Sequence, residues 1–412
     1  MPIHVSKLRC GTTLLVEPMP SVRSLAFSWL VPGASADDPA NRLGRGAMWA
    51  ELLMRGTRSL DSRAHADAVD RLGASRLVDN GVYFLRLAST MLGNRMREVL
   101  PLFTEMALAP RFDADSIEPA RDLCLQAIAS LADDPQERAV LAARDRHYPT
   151  PLNRSGHGDE PGLTSLTHDE IVRGWAAIQN PARSIFCAAG AVDPNELAAE
   201  LDDILGDWTG AAPEPAIAKT SPRGYAHEED ETNQVQIVLL HDAPNEASPD
   251  AMLEKIAVNV LSGGMSGRLF SEVREKRGLC YSVSASYRGD RDTGGVIAYV
   301  GTSPDRAQQS LDVLTAELQR INSPEGRITP EEFQRAVVGM KTSLVFSGES
   351  TSARAAAIGS DYFRLGRCRT LEEVAKAVDA ITLEQVNDYL SRRSMGRVTI
   401  QTVGPAALKP PL

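Results

Sequence analysis

The spacing of apolar residues along the chain changes period several times, and it does so twice in the same order. In the first half, residues 22–35, "VRSLAFSWLVPGAS", form a short apolar run bounded by turn residues; 43–55 carry helical spacing; and 81–90, "GVYFLRLAST", mix aromatic, β-branched and alternating positions as a strand does. The second half answers with "NQVQIVLLHDAP" (233–244), a helical 250–263 and "GGVIAYVGTS" (294–303). Amphipathic helices follow in both halves, at 94–108 and 305–321, with apolar residues three and four apart.

The parallel continues. Residues 113–131 and 329–346 both open on N-cap-type residues with acids in the first turn, so a second helix is expected in each half. Then 166–194 matches 381–405: a capping-box start at Thr167 and Thr382, a helix, and a strand. A repeat of this length is a duplicated domain rather than a solenoid unit. Residues 211–224, "AAPEPAIAKTSPRG", have no period and read as an extended linker. The expected division is therefore a domain over 1–212, a linker over 213–224 and a second domain over 225–412. Mixed strands and helices with short connections predict an α+β class, each domain an antiparallel β-sheet covered by helices.

Composition narrows the function. With 44 basic and 54 acidic side chains the net charge is −10, and no Lys/Arg block interrupts it, which excludes nucleic acid as the expected partner. The five cysteines are odd in number and far apart, without a C-x-x-C pair, so neither a disulfide framework nor a cysteine zinc knuckle is expected. The N-terminal residues lack a continuous apolar stretch, and no run reaches the ~18 residues of a membrane span. A cytoplasmic protein with no membrane partner is the expectation, or a periplasmic one if a leader was removed. The seven histidines include no i, i+4 pair, and each is expected on the surface or in a hydrogen bond.

Three stretches carry a resemblance: "GRGAMWAELLMRGTRSLDS" (44–62), "QAIASLADDPQERA" (126–139) and "LSGGMSGRLFSEVREKRGLCYSVSASY" (261–287). Together with the duplication, they make nearly the whole chain resemble the pitrilysin/insulinase family of zinc peptidases, in its short processing-peptidase-like form. In active members the first stretch holds H-x-x-E-H on a helix, two histidines on one face gripping zinc and a glutamate acting on the metal-bound water. A later glutamate is the third protein ligand. Aligned on Gly56-Thr57, the motif falls on Ala47-Met48-Trp49-Ala50-Glu51; aligned on Asp133-Asp134-Pro135, the remote ligand falls on Ala127. The resemblance therefore implies no metal in this chain, since Glu51 alone cannot replace three ligands.

The third stretch reads as a helix through about Arg277, closed by Gly278, with a strand from Cys280-Tyr281. On spacing alone, a tyrosine opening a strand packs in a core with its hydroxyl satisfied. Cys280 reads as a small buried hydrophobe, and Ser266 lacks the G-x-S-x-G context of a nucleophile. In the family, an Arg and a Tyr at this spacing face the zinc across a chamber. The resemblance thus gives Arg274 the role of orienting a substrate carbonyl and Tyr281 that of an oxyanion donor. It implies a non-catalytic subunit of a heterodimeric zinc metalloendopeptidase, acting on peptides with a homologous partner that bears H-x-x-E-H and the zinc, and self-pairing when that partner is missing. The alternative is an inactive peptidase-like scaffold or peptide-binding subunit.

Overall fold

The computed structural model describes residues 2–218 and 220–411. Lys219, inside the expected linker, lies outside the described residues, as do Met1 and Leu412. Six strands form the first sheet: β1 (His4–Lys7), β2 (Thr13–Pro18), β3 (Ser24–Val31), β4 (Leu77–Asn80), β5 (Leu85–Leu92) and β6 (Ile185–Gly190), in the spatial order β1-β2-β6-β3-β5-β4. Five form the second: β7 (Gly224–Glu229), β8 (Val235–Asp242), β9 (Cys280–Gly289), β10 (Gly294–Thr302) and β11 (Thr399–Gly404), in the order β7-β11-β8-β10-β9. Without β1 the two orders superimpose strand for strand, which is the duplication seen in the sequence. Residues 206–223 between them carry no helix or strand among the described positions.

The expected antiparallel sheets need one correction. Each contains one parallel pair, β2 with β6 and β7 with β11. These are the first and last strands of each repeat, joined through everything between them, so no hairpin forces them antiparallel. Their neighbours are joined locally or by short helical excursions and run antiparallel. The expected strands and helices otherwise stand within a few residues of where the apolar period put them. Helices start at Thr167 and Thr382 with reciprocal capping boxes, and Thr329 and Thr370 do the same.

Each sheet packs one face against its own helices. Trp29, Trp49, Phe103 and Phe186 centre the first core, and Leu261, Leu269, Leu311 and Leu314 the second. The opposite faces are covered by exchange. The Pro135–His147 helix from the first half lies on β8 and β11 of the second through Ala139 and Ala143, which meet Val238, Leu240 and Val403. The Thr351–Leu365 helix of the second half lies on β3 and β6 of the first through Ala355 and Gly359. A Cβ at Gly359 would sit 2.5 Å from Cys187 Sγ. In both helices two small residues four apart share one face, and that lets a helix axis come down onto a tightly packed sheet. No helix among the described residues is long and apolar enough to cross a membrane.

Candidate functional site

The Arg45–Leu53 helix opens from Gly44, whose φ of +112° suits only glycine. Asp38 holds that opening: Oδ2 accepts from Gly44 N–H at 2.7 Å and Oδ1 from Gly46 N–H at 2.9 Å. Burial pushes the Asp38 carboxyl up to about 6 despite these N–H donors. Met48, Trp49, Leu52 and Leu53 are buried, and Trp49 Nε1 donates to the Ile171 carbonyl at 3.1 Å, which fixes the rotation of the helix. The positions expected to hold the metal motif, Ala47, Ala50 and Glu51, are half-buried. The Ala114–Ala129 helix packs alongside and brings Ala127 and the buried Cys124. Glu51 lies close enough to Cys124 to help raise its thiol, which burial pushes to about 12 while Arg55 opposes the rise.

The side chains here do not fit zinc. Methyl groups stand at two of the three ligand positions, Ala47 and Ala127, and at that of the base, Ala50; the neighbouring thiol is held protonated, and Glu51 is a single donor where three are required. Among the described residues, no group of three His, Cys, Asp or Glu side chains is placed to hold a metal ion. His65, His147 and His241 are fully buried, each with a hydrogen-bond partner.

The other predicted residues flank one turn in the second half. The expected α-helix through Arg277 ends sooner and is wider: Phe270–Glu275 wind as a π-helix, a rare form that concentrates at functional sites. Beyond it Gly278, at φ +60°, donates to the Arg274 carbonyl at 2.9 Å, and Leu279 N–H reaches back to the Val273 carbonyl at 3.0 Å. Arg306 donates to the Gly278 carbonyl and braces the turn. Within the basic cluster here, Lys276 and Arg277 both pair with Glu272, whose carboxyl they hold below its usual range. Arg274 is exposed and lies with its guanidinium 4.9 Å over the Phe270 ring; it has no hydrogen-bond or ion-pair partner among the described residues.

Tyr281 departs from the buried tyrosine that its place at a strand entrance suggests. It is 75% exposed. Cys280 pairs with Thr302 and Ser282 with Gly301, so Tyr281 is the extra residue of a bulge on edge strand β9. A bulge re-aims the side chain it carries, and here it turns the phenol away from the core. Cys280 beside it is buried as expected, and burial pushes its thiol up. The π-turn and the bulge escaped the sequence reading, although Gly278 and the Gly301-Thr302 step were visible signs of irregular backbone on both sides of Tyr281.

Comparison with known proteins finds relatives of the sequence and of the fold. Residues 165–340 match the family described as the peptidase M16 inactive domain. An uncharacterized zinc protease of Streptomyces coelicolor is 26% identical over 411 residues, covering 96% of this chain and 88% of its own. A solved peptidase M16 inactive domain from Pseudomonas fluorescens shares the fold with a TM-score of 0.86 at 20% identity, covering 100% of both chains. A protease from Helicobacter pylori does so with a TM-score of 0.87 at 16% identity, covering 99% of this chain and 100% of that one. The chain is therefore homologous to M16-like zinc proteases, and its residues 165–340 match that family's inactive domain.

Proposed function

We propose that the chain is the non-catalytic subunit of a heterodimeric zinc metalloendopeptidase and lends Arg274 and Tyr281 to the active site of a partner carrying H-x-x-E-H. The observation that carries this reading is the contrast between the two places where the family puts function. The metal face has been reduced to Ala47, Ala50, Glu51 and Ala127, whereas Arg274 and Tyr281 stand exposed on a π-turn and a bulge, their side chains uncommitted.

The chemistry asked of each is modest and specific. The Tyr281 O–H donates to the oxygen on which negative charge develops as a peptide carbonyl becomes tetrahedral. The Arg274 guanidinium, always charged, holds a neighbouring substrate carbonyl and keeps the scissile bond in register. Neither group can activate water, so this chain alone does not hydrolyse peptides.

The test is reconstitution. The purified chain should leave an unstructured peptide intact, and adding the zinc-bearing homologue should produce cleavage that neither chain gives by itself. Equal turnover by this chain in isolation, or no gain on mixing with a zinc-bearing homologue from the same organism, would sink the proposal and favour a scaffold.

A further inference from the structure

A second site lies where the exchanged helix meets the second sheet. Val140, Arg144 and Tyr148 recur every four residues along one side of Pro135–His147 and its cap. They face a cavity of about 210 Å³ whose opposite wall is the sheet. Ser286 lies opposite Ile297, and Ile297 opposite Leu240, so all three point to one face, and Arg288 joins them two residues along β9. The walls therefore combine the apolar Val140, Leu240 and Ile297 with two guanidiniums, Arg144 and Arg288.

Those guanidiniums are poorly neutralised. Arg144 has no hydrogen-bond or ion-pair partner among the described residues. The nearest carboxylate to Arg288 is Asp290, 3.9 Å away, and the same carboxylate is approached by Arg364 at 3.6 Å. Asp290 is thus shared by Arg288 and Arg364, while Arg144 feels Glu137 and Asp290 only beyond ion-pair distance, and none of the three cations can lose its proton. Burial and the facing Arg288, itself exposed, both push the Arg144 pKa down. Tyr148 and Ser286 also line the cavity, and their hydroxyls have no side-chain partner among the described residues.

We infer that this cavity binds a carboxylate carried on an apolar group, its oxygens shared by Arg144 and Arg288 and its body seated on Val140, Leu240 and Ile297. Planar carboxylates match the guanidinium fork. The buried Asp290 in the same wall disfavours a dianion such as phosphate, and the volume suits one residue-sized group rather than a ligand of the roughly 300–1,000 Å³ class. Such a carboxylate can come from a free aliphatic or aromatic acid or from the C-terminus of a peptide. The inference does not depend on the peptidase reading.

Calorimetric titration of the full chain tests it with four probes: phenylpropionate, phenylpropionamide, and a short peptide ending in phenylalanine with a free or an amidated C-terminus. At least one acid should bind about tenfold or more tightly than its amide, and the acid that binds better identifies the source. Arg144→Gln and Arg288→Gln should each weaken that acid about tenfold, with the unfolding midpoint of Arg144→Gln unchanged because no internal partner is lost. Equal binding of acids and amides, no binding of either acid at millimolar concentration, or unaltered affinity in Arg144→Gln would overturn the assignment.

Discussion

Arg354 Nε donates to Glu17 Oε2 at 2.8 Å, joining residues 337 apart in the chain. Both are buried, Arg354 on the helix that the second half lends and Glu17 on β2 of the first sheet. The reciprocal exchange is marked by His147, fully buried on the helix lent by the first half, whose Nδ1 lies 3.1 Å from Thr399 Oγ1 on β11. Polar groups thus pin both crossing helices, which otherwise hold on through small residues. The exchange makes the two halves interdependent: neither sheet is covered on both faces by its own sequence.

A buried pair of this kind is costly to break on one side only. Arg354→Met leaves the Glu17 carboxylate buried without its cation and should lower stability by roughly 3–5 kcal/mol. Adding Glu17→Leu should restore most of that loss, because two apolar groups of similar volume no longer need solvation. Urea unfolding of the single and double variants, followed by far-UV circular dichroism, reads this directly. A double variant as unstable as the single one would show that the pair contributes through something other than charge.

Asp242 gives the same junction a dependence on pH. Burial pushes its carboxyl up, but the approach of His147 Nε2 at 3.5 Å and the bond from Arg223 Nη1 at 2.6 Å outweigh burial and hold it at about 2. A carboxyl depressed in the folded state adds stability that is fully present above its unfolded value near 3.8 and is lost as pH falls through about 2. Because this side chain is 42% exposed, solvent screening reduces its worth to about 1 kcal/mol. Asp242→Asn should therefore cost about that much at pH 7, and the gap from wild type should narrow steadily on acidification from pH 4 to pH 2. A gap independent of pH would mean that the substitution acts through packing.

Much of this architecture was legible because the strongest periods are those of buried elements. Every residue of β8 but Asp242 is buried, and its apolar run announced it. Thr167 and Thr382 marked helix starts because their side chains have one local partner to find. The short edge strands β1 and β4 were not legible, since four residues, exposed in β1 and mostly half-buried in β4, carry little pattern. Nor does "PQERAVLAARDRH" say which sheet it will cover, because Ala139 and Ala143 would pack as readily on their own half. Arg274 and Tyr281 could be picked out only through the family resemblance; the exposure that makes them candidates depends on a π-turn and a bulge that spacing does not encode.

The metal motif of the resemblance can be written onto the Arg45–Leu53 helix. Positions four apart on a helix share a side, so Ala47→His with Glu51→His would direct two imidazoles the same way, Ala50→Glu would supply a base, and Ala127→Glu would add the third ligand from the packed neighbouring helix. Elemental analysis of the fourfold variant after dialysis should find roughly one zinc per chain, against little in the parent. Ala47 and Ala50 pack against the core, so overfilling should cost about 1–3 kcal/mol in the metal-free variant. Failure to bind zinc in a folded variant would mean that the two helices no longer stand at a ligand-competent distance.

The role proposed for Tyr281 separates from structure because the phenol is exposed at 75% and makes no hydrogen bond among the described residues. Tyr281→Phe should leave thermal unfolding unchanged. In the reconstituted complex it should lower kcat by about 10²–10³, the loss expected when one preorganised oxyanion donor, worth about 2.7–4 kcal/mol, is removed. KM should hardly move, since the bond forms only as charge develops. Arg274→Gln should instead raise KM as well as lower kcat, because its bond to a substrate carbonyl is made before the chemistry. The measurement is steady-state hydrolysis of one peptide by complexes assembled from wild-type or variant chain with an unaltered partner. Full kcat with Tyr281→Phe would remove the phenol from the reaction and leave the exposed bulge to be explained as a contact surface.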